Sequence, residues 1–91
     1  MEEEIKNSPE GELIGEIVHY FPHVGVAVIK LSASLSTGDT IRIIGGEDTD
    51  FNQTVDSMEI NHQKIEKAKV GDEVGLKVGQ KVREGYKVYK L

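Results

Sequence analysis

A Gly-Asp pair followed by strictly alternating apolar residues is the feature that most limits what this chain can become. In Ala68-Lys69-Val70-Gly71-Asp72-Glu73-Val74-Gly75-Leu76-Lys77-Val78, the residues Val74, Leu76 and Val78 share one face of an extended strand, the period that buries one side of a sheet. Gly71 can adopt a backbone shape closed to other residues, and Asp72 can bond its own backbone two residues on, so the pair makes a sharp strand entry. The device occurs earlier in Thr37-Gly38-Asp39-Thr40-Ile41 and, without the aspartate, in Glu84-Gly85-Tyr86-Lys87-Val88. Three turn-then-strand units within 91 residues predict a small all-β domain with structural turns at Gly38, Asp39, Gly71, Asp72 and Gly85.

That length supports one hydrophobic core, since two domains of half the size would each be too small to stand alone. The composition, 37% hydrophobic and 30% charged, is that of a globular chain. No apolar run approaches the ~20 residues of a membrane-spanning helix, so no membrane is expected as partner. The start, Met1-Glu2-Glu3-Glu4, is acidic where an export signal is basic, which predicts a cytoplasmic location. The absence of cysteine excludes disulfides, thiolate metal sites and thiol catalysis.

The net charge of −5 is unevenly spread. Residues 1–60 carry twelve acids and three bases, and residues 61–91 four acids and eight bases. Five of the acids fall within residues 1–12, which are polar, broken by Ser8-Pro9-Glu10-Gly11, and expected to form a flexible tail. Residues 13–91 are expected to form the domain. The acid excess argues against non-specific nucleic-acid binding. A local basic face built from Lys64, Lys67, Lys69, Lys77, Lys81, Arg83, Lys87 and Lys90 is open beside the plainer reading of a solvated lysine surface.

In chain order, Leu13 to Phe21 reads as a strand with Gly15 at a bulge or close backbone approach. Pro22 turns the chain, and Val24 to Leu31, apolar on both parities, is expected to be the most central strand. Leu35 dips inward from a polar link, Thr40 to Ile44 is a strand, and Gly45 to Asp50 an acidic surface loop. Phe51 to Ile60 is expected to be the longest strand, bulged where its apolar parity shifts between Val55 and Met58. Asn61 to Val70 reads as a polar connection, Gly79 to Gly85 as a short link with room for one helical turn, and Tyr86 to Leu91 as the closing strand. Six to seven short strands at even spacing predict a closed antiparallel β-barrel, an arrangement without exposed edges.

Gly15-Glu16-Ile17, the Val24–Leu31 strand and the two Gly-Asp turns at 38–39 and 71–72, the second continuing into Val74-Gly75-Leu76, resemble the second domain of translational GTPases such as elongation factor Tu. The end of the chain, Val82-Arg83-Glu84-Gly85-Tyr86-Lys87-Val88-Tyr89, resembles short stand-alone translation elongation factor-like proteins. Related barrels also occur attached to collagenase-like peptidases. The resemblance covers residues 13–91 and implies a β-barrel that binds ribosome, tRNA or a partner factor.

Motifs for catalysis are missing. No Gly-x-x-x-x-Gly-Lys-Ser/Thr phosphate loop and no Gly-x-Ser-x-Gly nucleophile elbow are present, so neither P-loop GTP hydrolysis nor an elbow serine is expected. Gly45-Gly46 precedes acids, the wrong sign for a phosphate cradle. Carboxylate pairs such as Glu47-Asp48 and Asp72-Glu73 fall in turns, whereas a raised-pKa acid needs burial. His19, His23 and His62 could converge on a metal, but lack helical spacing and an adjacent ligating carboxylate; they are expected to sit at surface or rim, with no metal or other cofactor bound. Tyr20, Phe21, His23 and Phe51 could form a patch on which a base or side chain stacks; packing in core or rim is the alternative.

The expectation is therefore a monomeric, non-catalytic binding module. Its first reading docks on ribosome or RNA through Lys69, Lys81, Arg83 and Lys87 with the aromatic group. Its second is a protein-interaction accessory acting in trans on an enzyme such as a collagenase-like peptidase.

Overall fold

Alternating burial along most of the longer strands organises the chain around one apolar interior. The computed structural model describes residues 11–91, so the expectation of a tail falls mostly outside it, although Glu12 already belongs to the first strand. Ten strands run in order: β1 (Glu12–Phe21), β2 (Val26–Leu31), β3 (Leu35–Ser36), β4 (Thr40–Gly45) and β5 (Thr49–Thr54), then β6 (Met58–Ile60), β7 (Gln63–Ile65), β8 (Lys67–Ala68), β9 (Glu73–Lys77) and β10 (Lys87–Lys90). Eight of them form one antiparallel sheet in the order β5-β4-β10-β1-β2-β9-β6-β7, and β3 pairs with β8. The expected central strand, β2, lies between β1 and β9 in the middle of the sheet. Among the described residues no helix is long and apolar enough to cross a membrane.

The inner face carries Ile14, Ile17, Ala27, Ile29, Ile41, Ile43, Val74, Leu76 and Val88, all buried, and Leu35 of β3, Met58 of β6, and Val55 and Val82 from the connections complete the core. Register slips in β1 between Leu13 and Gly15 against β10, and between Ile17 and His19 against β2, bend the strand around this core. Gly15 lies so close to β2 that an added Cβ would stand 2.6 Å from the Lys30 carbonyl oxygen, the predicted close approach.

The expected closed barrel is not formed. The sheet is open, with β5 and β7 as its edges. The reason lies in Phe51 to Ile60, which is not one bulged strand. The chain leaves the ladder after Thr54 and re-enters it at Met58, so β5 serves the β4 edge and β6 pairs with β9 toward the opposite edge. The parity shift between Val55 and Met58 marks this crossing. The gap beside β5 is bridged by a side chain instead. Gln53 donates from Nε2 to the Lys77 carbonyl at 2.8 Å, and its Oε1 accepts from the Gly79 N–H at 2.9 Å. One amide group thus takes both bonds that a neighbouring backbone would make. The link from Gly79 to Gly85 carries bends and a turn, not a helical turn.

The three glycine turns share one geometry. Gly38, Gly71 and Gly85 have φ of 93°, 92° and 93°, a left-handed shape that a side chain disfavours, at the third position of a type II turn. In the first two, the aspartate N–H donates back to the carbonyl of Ser36 or Lys69, and its carboxylate accepts the N–H of that same residue. The aspartate therefore bonds three residues back rather than two residues on. Each turn then clasps a distant residue by two backbone bonds. Gly38 donates to the Val55 carbonyl and Asp39 accepts from Val55; Gly71 and Asp72 hold Leu31 likewise, and Gly85 and Tyr86 hold Ile17.

Candidate functional site

A broad concavity lies on the outer face of the sheet, where β2, β9 and β6 run side by side. Because alternate residues of a strand face opposite sides, burial of Ala27, Ile29, Val74 and Leu76 turns Val26, Val28, Glu73 and Gly75 outward. These residues, with Phe21 and Val24 from the end of β1 and the turn after it, form a groove of about 710 Å³. Phe21 is 41% and Val24 52% exposed, so the floor is apolar and open. Ile60 extends it on β6, and Glu59, Asp72, Asn61 and His62 stand at its rim.

The rim follows from local geometry. Asn61 and His62 form the two-residue turn of the β6–β7 hairpin, both with positive φ, 54° and 66°, the shape that right-handed strand twist favours there. Glu59 pairs with Gly75 across the β6–β9 ladder. Glu73 lies two residues before Gly75 on the same face, opposite Lys30 of β2. No ion pair or hydrogen bond engages the side chain of Glu59 or Glu73 among the described residues, whereas the Asp72 carboxylate is held by the Lys69 N–H.

A smaller groove of about 330 Å³ on β1 and β2 is lined in part by Leu13, Val18 and Lys87. Glu16 and Lys30 line it too, and the row Lys87, Glu16, Lys30 and Glu73 pairs in that order across β10, β1, β2 and β9. Lys87 Nζ meets Glu16 Oε1 at 3.0 Å. That pair, facing across strands, leaves the β10–β1 end of the row close to neutral.

The residues singled out from sequence are dispersed. Lys81 and Arg83 are exposed on the link before β10, Lys87 is paired with Glu16, and Lys69 begins the turn that holds Leu31. The Arg83 carbonyl accepts from the Tyr86 N–H in its own turn. Of the aromatic set, Phe21 lines the groove, Tyr20 and Phe51 pack against the core, and His23 is exposed in the turn after β1. Phe51 on β5 is separated from β1 by β4 and β10. His19 sits edge-on to Phe21 with ring centroids 4.6 Å apart, and its Nδ1 lies 3.5 Å from Glu84. No three His, Asp or Glu side chains gather in metal-binding geometry among the described residues. Sequence reading missed Val24, Val26, Val28, Glu59, Ile60 and Gly75 as a surface, because an apolar strand on both parities reads as doubly buried. The signal available was the glycine inside β9.

The fold is shared with solved C-terminal domains. Two crystal structures of the C-terminal domain of a Geobacillus thermoleovorans protein assigned to the U32 peptidases superpose with a TM-score of 0.82 at 21% identity; they cover 87% and 88% of this chain and 99% and 92% of those chains. In sequence, the chain is 46% identical over 78 residues to an uncharacterized protease of Methanocaldococcus jannaschii, covering 86% of this chain and 19% of that protein. It is 33% identical over 79 residues to a collagenase of Porphyromonas gingivalis, covering 86% of this chain and 22% of the collagenase. The chain thus spans about a fifth of the length of these relatives. No family model matches.

These findings overturn the kinship expected with elongation factor Tu and with elongation factor-like proteins. The likenesses are to a protease, to collagenases and to a peptidase C-terminal domain. The residues that suggested otherwise, the Gly-Asp turns, are demanded by the clasps described above. They report backbone geometry, which unrelated functions share.

Proposed function

We propose that this chain is a non-catalytic docking module of collagenase-like or U32-type peptidases, whose groove between β2, β6 and β9 seats on the catalytic part of such an enzyme. It does so whether joined to that part in one polypeptide or supplied in trans. The observation that carries the reading is the open apolar floor of Phe21, Val24, Val26 and Val28. A contiguous apolar concavity on a small domain is a surface that gains from being covered, at about 25 cal/mol per Å² removed from water. The non-catalytic part rests on burial. No polar or charged side chain is buried among the described residues, and an acid or base tuned for catalysis depends on such an environment.

The test is site-directed photo-crosslinking in lysate of the source organism. With p-benzoylphenylalanine in place of Val24, the cross-linked protein identified by mass spectrometry should be a peptidase of the collagenase or U32 type. The same probe in place of Lys81, on the exposed link, should not yield it. Equal yields at the two positions, or no such peptidase at Val24, would overturn the docking role.

A further inference from the structure

Gly75 is a glycine that the fold does not require. Its φ is not positive, and an added Cβ would meet only Val26 Cγ1 at 3.5 Å and the Glu59 carbonyl oxygen at 3.9 Å, both ordinary contacts. A glycine inside a strand weakens it, and commonly marks a place where something else approaches closely. Here the missing side chain leaves a hollow in the groove floor. Val28 stands beside it on β2 and Glu59 beside it on β6, in register with Gly75 on its two sides. Glu73 precedes it by two residues on the same face, and Val26 lies diagonally across.

We propose that this hollow seats a lysine or arginine side chain from an otherwise apolar segment of the docked protein. The inference rests on the docking reading above and names what the groove selects. Paired strands set Glu59 about 5 Å from Gly75, and Glu73 lies about 6.6 Å along the strand. One cation lying over Gly75 reaches both carboxylates. Its methylene stem packs on Val26 and Val28, the arrangement by which long basic side chains cover apolar surface while the charged head stays near water. Neither carboxylate makes an ion pair or a side-chain hydrogen bond within the described residues. Lys30 opposite Glu73, Lys64 opposite Glu59 and Lys77, two residues beyond Gly75 on its face, close no ion pair with them. The residues lining the groove include three acids and neither lysine nor arginine, so a cationic, apolar partner complements it and a polyanion is repelled.

The experiment is a two-peptide titration followed in amide ¹H–¹⁵N spectra. Acetyl-Leu-Arg-Leu-amide should shift the resonances of Val26, Val28, Glu59 and Gly75, and half-saturate at a concentration at least fivefold below that of acetyl-Leu-norleucine-Leu-amide. The double variant Glu59→Gln/Glu73→Gln should bring the two peptides within twofold of each other. Gly75→Leu, which fills the hollow without backbone strain, should remove the shifts from both. Equal affinity of the two peptides for the unaltered chain overturns the proposal, as does a single-stranded RNA oligonucleotide that shifts these same amides. The outcome is separable from the docking role. A peptidase cross-link at Val24 that survives both Gly75→Leu and Glu59→Gln/Glu73→Gln removes the cation slot and leaves docking intact. Arginine-selective binding without a peptidase cross-link supports the slot and removes the docking role.

Discussion

The ring of Tyr86 covers the backbone of Gly45. These residues adjoin paired strands, β10 and β4, and a Cβ built on Gly45 would fall within the Tyr86 ring. An aromatic laid over a glycine on the neighbouring strand shields that strand and fixes its register. Gly45→Ala should therefore cost on the order of 1–3 kcal/mol through overpacking. In a Tyr86→Ala background the same substitution should cost almost nothing, because the obstructing ring is gone. Thermal melts of the four chains test this; an undiminished cost in the Tyr86→Ala background would acquit the ring.

Gly71 and Gly79 should respond very differently to a side chain. Gly71 has φ of 92°, while the nearest neighbour of a Cβ on Gly79 is Gln53 Oε1 at 3.8 Å. Gly71→Val should lose about 1–3 kcal/mol through strain at a left-handed position, and Gly79→Val should stay within about 0.5 kcal/mol of the parent. Equal losses in chemical denaturation would show that the turn tolerates a different backbone shape.

Gln53→Ala removes both bonds that tie β5 to the end of β9 and the segment after it. The Gly79 amide, whose partner is Gln53 Oε1, should exchange with solvent markedly faster, with a stability loss of about 1 kcal/mol. Gln53→Glu keeps an acceptor for Gly79 but places negative charge against the Lys77 carbonyl. It should hold Gly79 protected while still lowering the melting temperature. Unchanged exchange at Gly79 in the alanine variant would mean that the edge is held by something other than this side chain.

Arg42 grips Asp50 with Nε at 2.8 Å from Oδ1 and Nη2 at 2.7 Å from Oδ2. The hydrogen bonds from the guanidinium hold the Asp50 carboxyl below its ordinary range, with the charge of Arg42 adding to the effect and slight desolvation opposing it. A carboxyl lowered in the folded state contributes stability at pH values above its unfolded value and loses it as pH falls through the folded one. Asp50→Asn should thus melt slightly below the parent at neutral pH, and the two curves should converge in acid. Added salt should narrow the neutral gap, since the pair is exposed. A gap constant across pH would assign the effect to packing.

Local chemistry in the sequence foretold local structure well. The glycine turns, the bulge or close approach at Gly15, the inward Leu35 and the central place of β2 were each readable from residues within a few positions of one another. What was not legible depends on partners far apart in the chain. Val55 to Ser57 look like a continuing strand until Gly38 and Asp39 draw Val55 aside and Met58 enters the β9 edge, and that crossing decides between an open sheet and a barrel. The groove was hidden for a related reason. Val26 and Val28 satisfy the pattern of a doubly buried strand, and only the neighbours of β2 show that one of its faces stays open.

The three glycine clasps also set an order of assembly. Gly38 and Val55 are 17 positions apart, Leu31 and Gly71 are 40, and Ile17 and Gly85 are 68. The entropy lost in closing a loop rises with its length by about 0.6 kcal/mol per doubling, so the widest clasp is about 1.2 kcal/mol dearer to close first than the narrowest. The Gly38–Val55 clasp shortens every path to the others. The Ile17–Gly85 clasp, which seats the last strand against the first, closes when most of the chain is already in place. A polypeptide emerging from its N-terminus must therefore wait for Gly85 before β10 can enter between β1 and β4, and until then those two strands stand open to any other strand that passes.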